Sequence, residues 1–167
     1  QHHKRTVRQQ EIVDAARRII IAEGIKNLTV RAIASDLEIT DGALYRHFKS
    51  KKKILSLLIE DIESTLLGTI KNVACQEADP LQKLENIFFA HLSYAEQRKG
   101  VSFILINETL SLHDKGLRKE MFSVVEKYLK TIESILTEGV KSGVFRKDLS
   151  IDATSFIFWG MIQSVIT

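Results

Sequence analysis

The chain has 167 residues, of which 44% are hydrophobic and 27% charged, and this balance is ordinary for a globular protein with a substantial core. Its single cysteine, Cys75, excludes an intramolecular disulfide and indicates a reducing, cytosolic compartment. No run reaches the ~18 apolar residues of a membrane span, and the polar, basic N-terminus lacks the apolar core of a signal peptide, so we expect no membrane partner.

The net charge of +3 hides an asymmetry between the two parts of the chain. Residues 1–53 hold 12 Lys and Arg against 6 Asp and Glu, a net of +6, whereas residues 54–167 hold 12 against 15, a net of −3. A basic segment followed by a slightly acidic one indicates a nucleic-acid-binding domain attached to a domain with another function.

The first predicted helix covers residues 6–23. Its apolar residues recur at helical spacing and would pack over the elements that follow: Ile12, Ala15, Ala16, Ile19 and Ile20. Gly24 comes directly after this pattern and is predicted to end the helix. Three basic residues lie ahead of the helix or on its first turn, where they could contact a nucleic-acid backbone or groove, or form a disordered tail: Lys4, Arg5 and Arg8.

Residues 29–48 read TVRAIASDLEITDGALYRHF and predict two short helices, at 30–37 and 41–48. The three residues between them allow only a tight turn, so the helices must cross, with Ile39 as the apolar residue that fixes the angle. Thr29 and Thr40 each precede a helix, where a hydroxyl can accept a hydrogen bond from a free N–H group. This is the pattern of a helix-turn-helix, whose second helix enters the major groove of DNA.

The second helix of this pair carries residues suited to reading DNA. Gly42 and Ala43 allow the backbone to approach base edges, and an aromatic hydroxyl, an imidazole and several cations follow within a few residues. Each one alone would also fit a solvated polar face. Together they predict a DNA-binding surface made of Thr29, Arg31, Thr40, Asp41, Gly42, Ala43, Tyr45, Arg46, His47, Lys49 and Lys51.

The segment ALYRHFKSKKKIL, preceded by TVRAIASDLEITDG, resembles the DNA-binding motif of the TetR family of bacterial transcriptional regulators. With the first helix and Lys51 at the start of a long fourth helix, the resemblance covers about residues 6–66. It implies an all-α fold, in which a three-helix DNA-binding domain at 6–66 precedes a helical-bundle domain for ligand binding and dimerisation at 67–167. Beyond residue 66 only the architecture is similar.

Helices are predicted for the rest of the chain. A long helix over 51–75, capped by Ser50, could act as a lever between the two domains, and Gly68 could mark a bend or a close crossing. Asp79 and Pro80 predict the cap and first position of a helix that ends before Gly100. The run VSFILINETLSL has the branched residues of a strand but is interpreted as a buried helix, because its surroundings are helical. A long helix then reaches residue 142.

The last helix, which starts at residue 150 or 152, contains the run FIFWGMIQSVI and is apolar nearly all round, so it must be buried or lie against a partner. In the TetR family, the last two helices form a four-helix bundle with the same pair from a second subunit. The resemblance therefore implies a homodimer on a palindromic operator, with the twofold interface near Phe156, Trp159, Gly160 and Gln163. Because the run reaches Thr167 without a capping signal, we expect the natural chain to continue or a further helix to follow.

The resemblance also implies an inducer pocket between the fourth and seventh helices, and repression as the usual mode of action. As a mechanism we expect a two-state switch, in which ligand tilts the lever helix, changes the distance between the two reading helices of the dimer and releases it from DNA. The candidate lining residues, each of which would also fit the core, are Phe88, His91, Phe103, Asn107, Glu108, Phe122 and Tyr128. An aliphatic, modestly polar lining favours a lipophilic small molecule as the effector.

Enzymatic activity is not expected. His91, Glu108 and His113 are the plausible catalytic or metal-binding groups of the second domain, but they share no catalytic or metal-ligand spacing, so we expect no metal or cofactor.

Two alternatives to a ligand-released repressor stay open. The second domain could recruit a protein, as nucleoid-occlusion factors of the same family do, and residues 94–122 resemble one of them. Alternatively, the chain could be a helical interaction module with a vestigial reading pair.

Overall fold

The computed structural model of the chain describes residues 6–46, 48–111 and 114–166, with the side chains of Leu110 and Ser111 left aside. Every regular element in these ranges is helical, and the predicted all-α class is confirmed. The chain groups into two compact units. The first comprises Gln1–Ser64 and Ile104–Met121, and the second comprises Thr65–Phe103 and Phe122–Thr167. The division into domains at 6–66 and 67–167 stays a prediction.

Helix α1 (Val7–Glu23) opens the first unit and buries one side, which includes the whole predicted stripe: Ile12, Val13, Ala15, Ala16, Ile19 and Ile20. Thr6 and Gln9 cap its start reciprocally, each side chain bonding the other's backbone N–H. Gly24 ends it with φ 82 and ψ 160, a conformation that is essentially restricted to glycine. A short 3-10 turn, Ile25–Asn27, follows.

Helices α2 (Val30–Asp36) and α3 (Asp41–Tyr45) form the predicted pair. The Thr29 hydroxyl accepts a hydrogen bond from the Ala32 N–H at 3.0 Å, and the Thr40 hydroxyl accepts one from the Ala43 N–H at 3.2 Å. α3 is three residues shorter than predicted. Phe48 is nevertheless buried, so its apolar character serves packing after the helix has ended.

The turn between α2 and α3 places Glu38 in the left-handed region, with φ 53. The Glu38 N–H donates to the Ser35 carbonyl at 3.1 Å, and the Ile39 N–H donates to the Ala34 carbonyl at 3.0 Å. This is the Schellman pattern of helix ends, in which the left-handed position is usually glycine.

Helix α4 (Lys51–Ile62), a π-helical segment (Glu63–Leu67) and α5 (Gly68–Ala74) form one continuous helical stretch, which matches the long helix predicted for 51–75. The Ser50 hydroxyl caps it, as predicted, by accepting from the Lys53 N–H at 3.4 Å. The departure from α-helical geometry lies directly before Gly68 rather than at it. The sequence did not predict a π-helical segment.

The remaining helices are α6 (Pro80–Gln97), α7 (Val101–Ser111), α8 (Lys115–Ser142) and α9 (Ile151–Ile166). Asp79 Oδ1 accepts from the Leu81 and Gln82 N–H groups at 2.9 and 3.0 Å, and Pro80 is the first helical residue, as predicted. The run from residue 101 is helical, which confirms the helical interpretation over a strand. In the described part of the chain, no helix combines the length and apolar character that a membrane crossing requires.

Candidate functional site

Helix α3 is held by one buried side chain and presents its other residues to solvent. Leu44 is fully buried, Ala43 is half-buried, and the remaining predicted contacts of this helix and its cap are exposed: Thr40, Asp41, Gly42, Tyr45 and Arg46. Polar and small residues therefore occupy the exposed face, which is the arrangement that base-edge and phosphate contacts require. His47 lies outside the described residues.

Residues from other elements surround α3. Arg8 of α1 and Arg46 line a cleft of about 280 Å³ that also contains Ile39, Ala43 and Leu44. The Arg8 guanidinium is paired with Glu11 at 2.9 Å, but both side chains stay about half exposed. The start of α1 thus adds a cation beside α3. Lys4 and Arg5, the other basic candidates, lie outside the described residues.

The other predicted DNA-contact residues differ in their solvent exposure and in whether their polar groups already bind protein atoms. Thr29, Arg31 and Lys49 are exposed. Lys51 is half-buried, and its ammonium donates to the Ile25 carbonyl at 2.7 Å. Burial lowers the pKa of Lys51, and the nearby Glu108 carboxylate opposes that shift. Lys51 therefore ties the start of α4 to the turn after α1, and its contact with phosphate stays a prediction.

Ion pairs join α1 to the two helices beneath it. Arg17 bridges the buried Asp61 of α4 and also Asp14, the latter at 2.9 Å. Arg18 pairs with Asp36 of α2 at 2.5 Å, and this hydrogen bond raises the pKa of Arg18. Removing one partner of a buried pair leaves an uncompensated charge, so the Arg17–Asp61 pair fixes α1 firmly on α4.

In the second unit, two of the predicted effector residues form a buried polar pair. His91 of α6 and Tyr128 of α8 are 1% and 2% exposed, and the imidazole Nδ1 lies 3.2 Å from the phenol oxygen. Burial lowers the pKa of His91 to about 4 and raises the pKa of Tyr128. Both groups are therefore uncharged near neutral pH, and they hydrogen-bond each other in the interior of the second unit.

Tyr94 is a neighbour of this pair that sequence reasoning missed. Its ring centroid lies 6.5 Å from that of His91, its hydroxyl is 3.1 Å from the Thr65 hydroxyl, and the Arg98 guanidinium stacks 4.6 Å from its ring. The signal was present in the spacing, since residues three apart share a helix face.

The other predicted effector residues do not all join this pair. Phe88 is half-buried and packs edge-on against Phe89 and Phe158, with ring centroids 5.7 and 6.3 Å apart. Phe103 is half-buried, and Phe122 is 58% exposed. Asn107 and Glu108 belong to the first unit. His113 lies outside the described residues, and the described residues contain no group of three His, Cys, Asp or Glu that could hold a metal ion.

Helix α9 exposes much of its apolar surface. Of the four predicted interface residues, Phe156 and Gly160 are exposed, and Trp159 and Gln163 are half-buried. Further exposed apolar residues, which the sequence reasoning did not single out, continue the same helix: Ile157, Met161 and Val165. A groove of about 500 Å³ also lies between α6 and α9, lined by Leu81, Leu84, Glu85, Phe88, Phe89 and Phe158. An apolar surface of this kind is typical of an interaction site.

Comparison with known proteins gives consistent matches over most of the chain. Residues 12–58 match the family described as bacterial regulatory proteins, tetR family, and residues 52–167 match the family described as YsiA-like protein, C-terminal region. The HTH-type transcriptional repressor KstR2 of Mycolicibacterium smegmatis is 33% identical over 145 residues, which cover 87% of this chain and 71% of that protein.

Two further similar proteins are of different kinds, one a nucleoid occlusion factor and the other a transcriptional regulator. The nucleoid occlusion factor SlmA of Vibrio vulnificus is 31% identical over 153 residues, which cover 88% of this chain and 78% of that protein. The structure of the transcriptional regulator FadR from Bacillus subtilis in complex with stearoyl-CoA superposes with a TM-score of 0.83 at 25% identity, over 95% of this chain and 84% of that one.

Proposed function

The chain belongs to the TetR family of bacterial transcriptional regulators, and we propose that it is a repressor that binds a palindromic operator as a homodimer and is released by a lipophilic effector. The observation that carries this proposal is the exposed face of α3, whose small and polar residues lie beside Arg8 and Arg46. A repressor of this kind would act on the nucleoid, in the cytoplasm.

Selection of bound sequences from a random duplex pool tests the DNA-binding part of the proposal. We expect enrichment of a palindrome with two half-sites about one helical turn apart, because each subunit of a dimer presents one reading helix. Binding without enrichment of any sequence would contradict it.

The exposed apolar face of α9 supports a dimer. Phe156, Ile157, Met161 and Val165 are 48–62% exposed on one helix, and a contiguous apolar patch of this kind is typical of an interface with a partner. Light scattering at micromolar concentration would report the mass of the complex. A monomer that still selects a palindrome would refute this face as the dimer interface.

For the effector we propose an acyl thioester. Three observations support this: the buried, uncharged His91–Tyr128 pair, the match of residues 52–167 to a YsiA-like region, and the stearoyl-CoA bound to the structurally similar FadR. A long acyl chain suits apolar lining, and a thioester carbonyl can accept one hydrogen bond. Titration calorimetry with stearoyl-CoA, against free coenzyme A as the control, should show that only the acylated form binds tightly.

The proposed mechanism is a two-state switch in which the effector favours a conformation with low operator affinity. Such coupling is reciprocal, so operator must weaken effector binding by the same factor, typically ~5- to 150-fold. Effector affinity measured with and without saturating operator tests this, and an unchanged value would defeat the mechanism.

A second candidate is recruitment of a protein partner by the second domain. The 31% identity to a nucleoid occlusion factor favours this reading. The two candidates differ in one result: a recruiting protein should stay on its operator at any concentration of acyl thioester, whereas the proposed repressor should leave it.

A further inference from the structure

Within the first unit, the first two turns of α8 lie beside the first two turns of α4. Lys52 Nζ is 2.8 Å from Asp114 Oδ2 and lies close to Gly116, and one turn later the Ser56 hydroxyl donates to Glu120 at 2.6 Å. The contact moves forward by one turn on both helices. α4 and α8 therefore run parallel here, with their N-termini at the same end.

This parallel arrangement determines which residues share the solvent side of the pair. Successive residues of an α-helix are rotated by about 100° around its axis. When two helices run parallel, the residue after a contact residue on one helix and the residue before a contact residue on the other therefore lie on the same side of the pair. On α4 the residue after Lys52 is Lys53, and on α8 the residues before Gly116 and Glu120 are Lys115 and Lys119; all three are exposed. The residue after Ser56 is Leu57, which is buried, so the exposed side includes only the first turn of α4.

The opposite side of the pair provides a check on this geometry. The residue before Ser56 on α4 is Leu55, and the residues after Gly116 and Glu120 on α8 are Leu117 and Met121. All three are buried. One side of the helix pair thus faces the core of the first unit, and the opposite side carries Lys53 on the first turn of α4 and Lys115 and Lys119 on the first two turns of α8.

The acidic groups at this place are already engaged. Asp114 pairs with Lys52 and caps α8 by accepting from the Gly116 and Leu117 N–H groups at 2.9 and 3.1 Å. Together these hydrogen bonds, above all the one from Lys52, lower the pKa of Asp114. Among the described residues, Lys53, Lys115 and Lys119 have no ion-pair partner. Lys53, Lys115 and Lys119 therefore present three unpaired cations beside one carboxylate, that of Glu120, which accepts a hydrogen bond from the Ser56 hydroxyl.

We propose that this α4–α8 basic face, formed by Lys53, Lys115 and Lys119, binds the phosphate backbone of duplex DNA in addition to the contacts of α3. The inference rests on the proposed function and extends the DNA-binding surface to α8, which begins 49 residues after the end of the predicted DNA-binding domain at residue 66.

Two observations favour duplex DNA as the partner. The α4–α8 basic face is continuous in sequence with Lys49 and Lys51, two of the predicted DNA contacts. It is also confined to the first two turns, because the same side of α8 continues with Phe122 and Glu126. A phosphate backbone that passes α3 could meet such a short basic edge, and lysines suit it because they bind phosphate as point charges.

The test is the salt dependence of duplex binding by the Lys115→Gln/Lys119→Gln variant, measured by fluorescence anisotropy from 50 to 300 mM salt. Each lost phosphate contact should reduce the slope of log K against log salt by ~0.9, so we expect a reduction of up to ~1.8. The effect should be equal on operator and unrelated duplex. The matched control, Lys130→Gln/Lys141→Gln, removes the same charge further along the same helix and should leave the slope unchanged.

A second variant tests the proposal in the opposite direction. Asp114→Asn keeps a capping side chain but releases Lys52, so duplex binding should tighten and the slope should steepen by ~0.9. Circular dichroism confirms that each variant is folded.

The outcomes distinguish a failure of the proposed function from a failure of the α4–α8 basic face alone. A wild-type protein that binds no duplex refutes the proposed function. Wild-type binding with an unchanged slope in Lys115→Gln/Lys119→Gln overturns only the α4–α8 basic face. Loss of binding to phosphatidylserine vesicles with unchanged duplex binding would also overturn it, and would assign the face to a membrane surface.

Discussion

The buried imidazole of His91 should make the protein less stable in mild acid. Burial lowers its pKa in the folded state to about 4, against an ordinary value of 6.5. Between these values the unfolded chain binds a proton that the folded protein does not, so the free energy of unfolding decreases as the pH falls through this window. From pH 7 to pH 5 the loss amounts to about 2 kcal/mol, or roughly 4–8 °C in Tm for a chain of this length.

Urea unfolding at pH 7 and pH 5 measures this effect when wild type is compared with His91→Gln. Glutamine keeps a hydrogen-bonding group beside Tyr128 but does not titrate, and every other titrating group is common to both proteins. Wild type should therefore lose about 2 kcal/mol more than the variant between the two pH values. Equal losses would show that His91 is solvated in the folded protein, and the buried His91–Tyr128 pair would then be wrong.

Three further predictions concern the reading pair and the apolar face. Glu38→Gly should raise the free energy of unfolding by about 0.5–1 kcal/mol because it relieves the left-handed backbone, whereas Glu38→Ala should give no gain in the same urea experiment. Arg46→Gln should weaken binding to operator and to unrelated duplex alike and reduce the salt slope by ~0.9, but Ala43→Ser should change the half-site that selection enriches. Ile157→Glu should convert the dimer to a folded monomer in light scattering, and an unchanged mass would exclude this side of α9 from the interface.

Local chemistry explains why much of the first unit could be predicted from the sequence. Thr29, Thr40 and Ser50 each stand directly before a helix in the structure, and each hydroxyl accepts the expected backbone hydrogen bond. Gly24 likewise ends the first helix, as predicted, although as its C-cap with φ 82 and ψ 160 rather than in the left-handed helical conformation of a C′ glycine. Capping and glycine signals depend on residues within one turn, so they can be read without knowledge of the tertiary structure.

Features that depend on distant contacts could not be predicted. Phe48 fitted the helical register of α3, but a buried aromatic residue satisfies the same pattern from a loop. The Lys51 ammonium binds a carbonyl 26 residues away, and no spacing rule points to that partner. Of the predicted effector residues, His91 and Tyr128 meet because α6 and α8 pack together, which periodicity alone cannot establish.

The π-helical segment had a signal that the sequence analysis did not use. The buried residues Leu58, Ile62, Leu66 and Ile70 are each four positions apart, whereas an α-helix has 3.6 residues per turn. Over three such steps the stripe would drift by roughly 120° around a regular helix. A wider π-helical turn reverses part of that drift, so sustained four-residue spacing is itself an indication of a π-helical segment.

The same segment bears on how relatives of this chain should be aligned. A π-helical turn contains one residue more than an α-helical turn in the same position. The helical stretch 51–74 can therefore lose a residue at 63–67 with the least displacement of the buried side chains that follow. A deletion anywhere else in that stretch would rotate the following buried side chains by ~100° out of the core. We therefore expect length differences among relatives in this helix to be real at residues 63–67, and a gap placed elsewhere within it to be an alignment error.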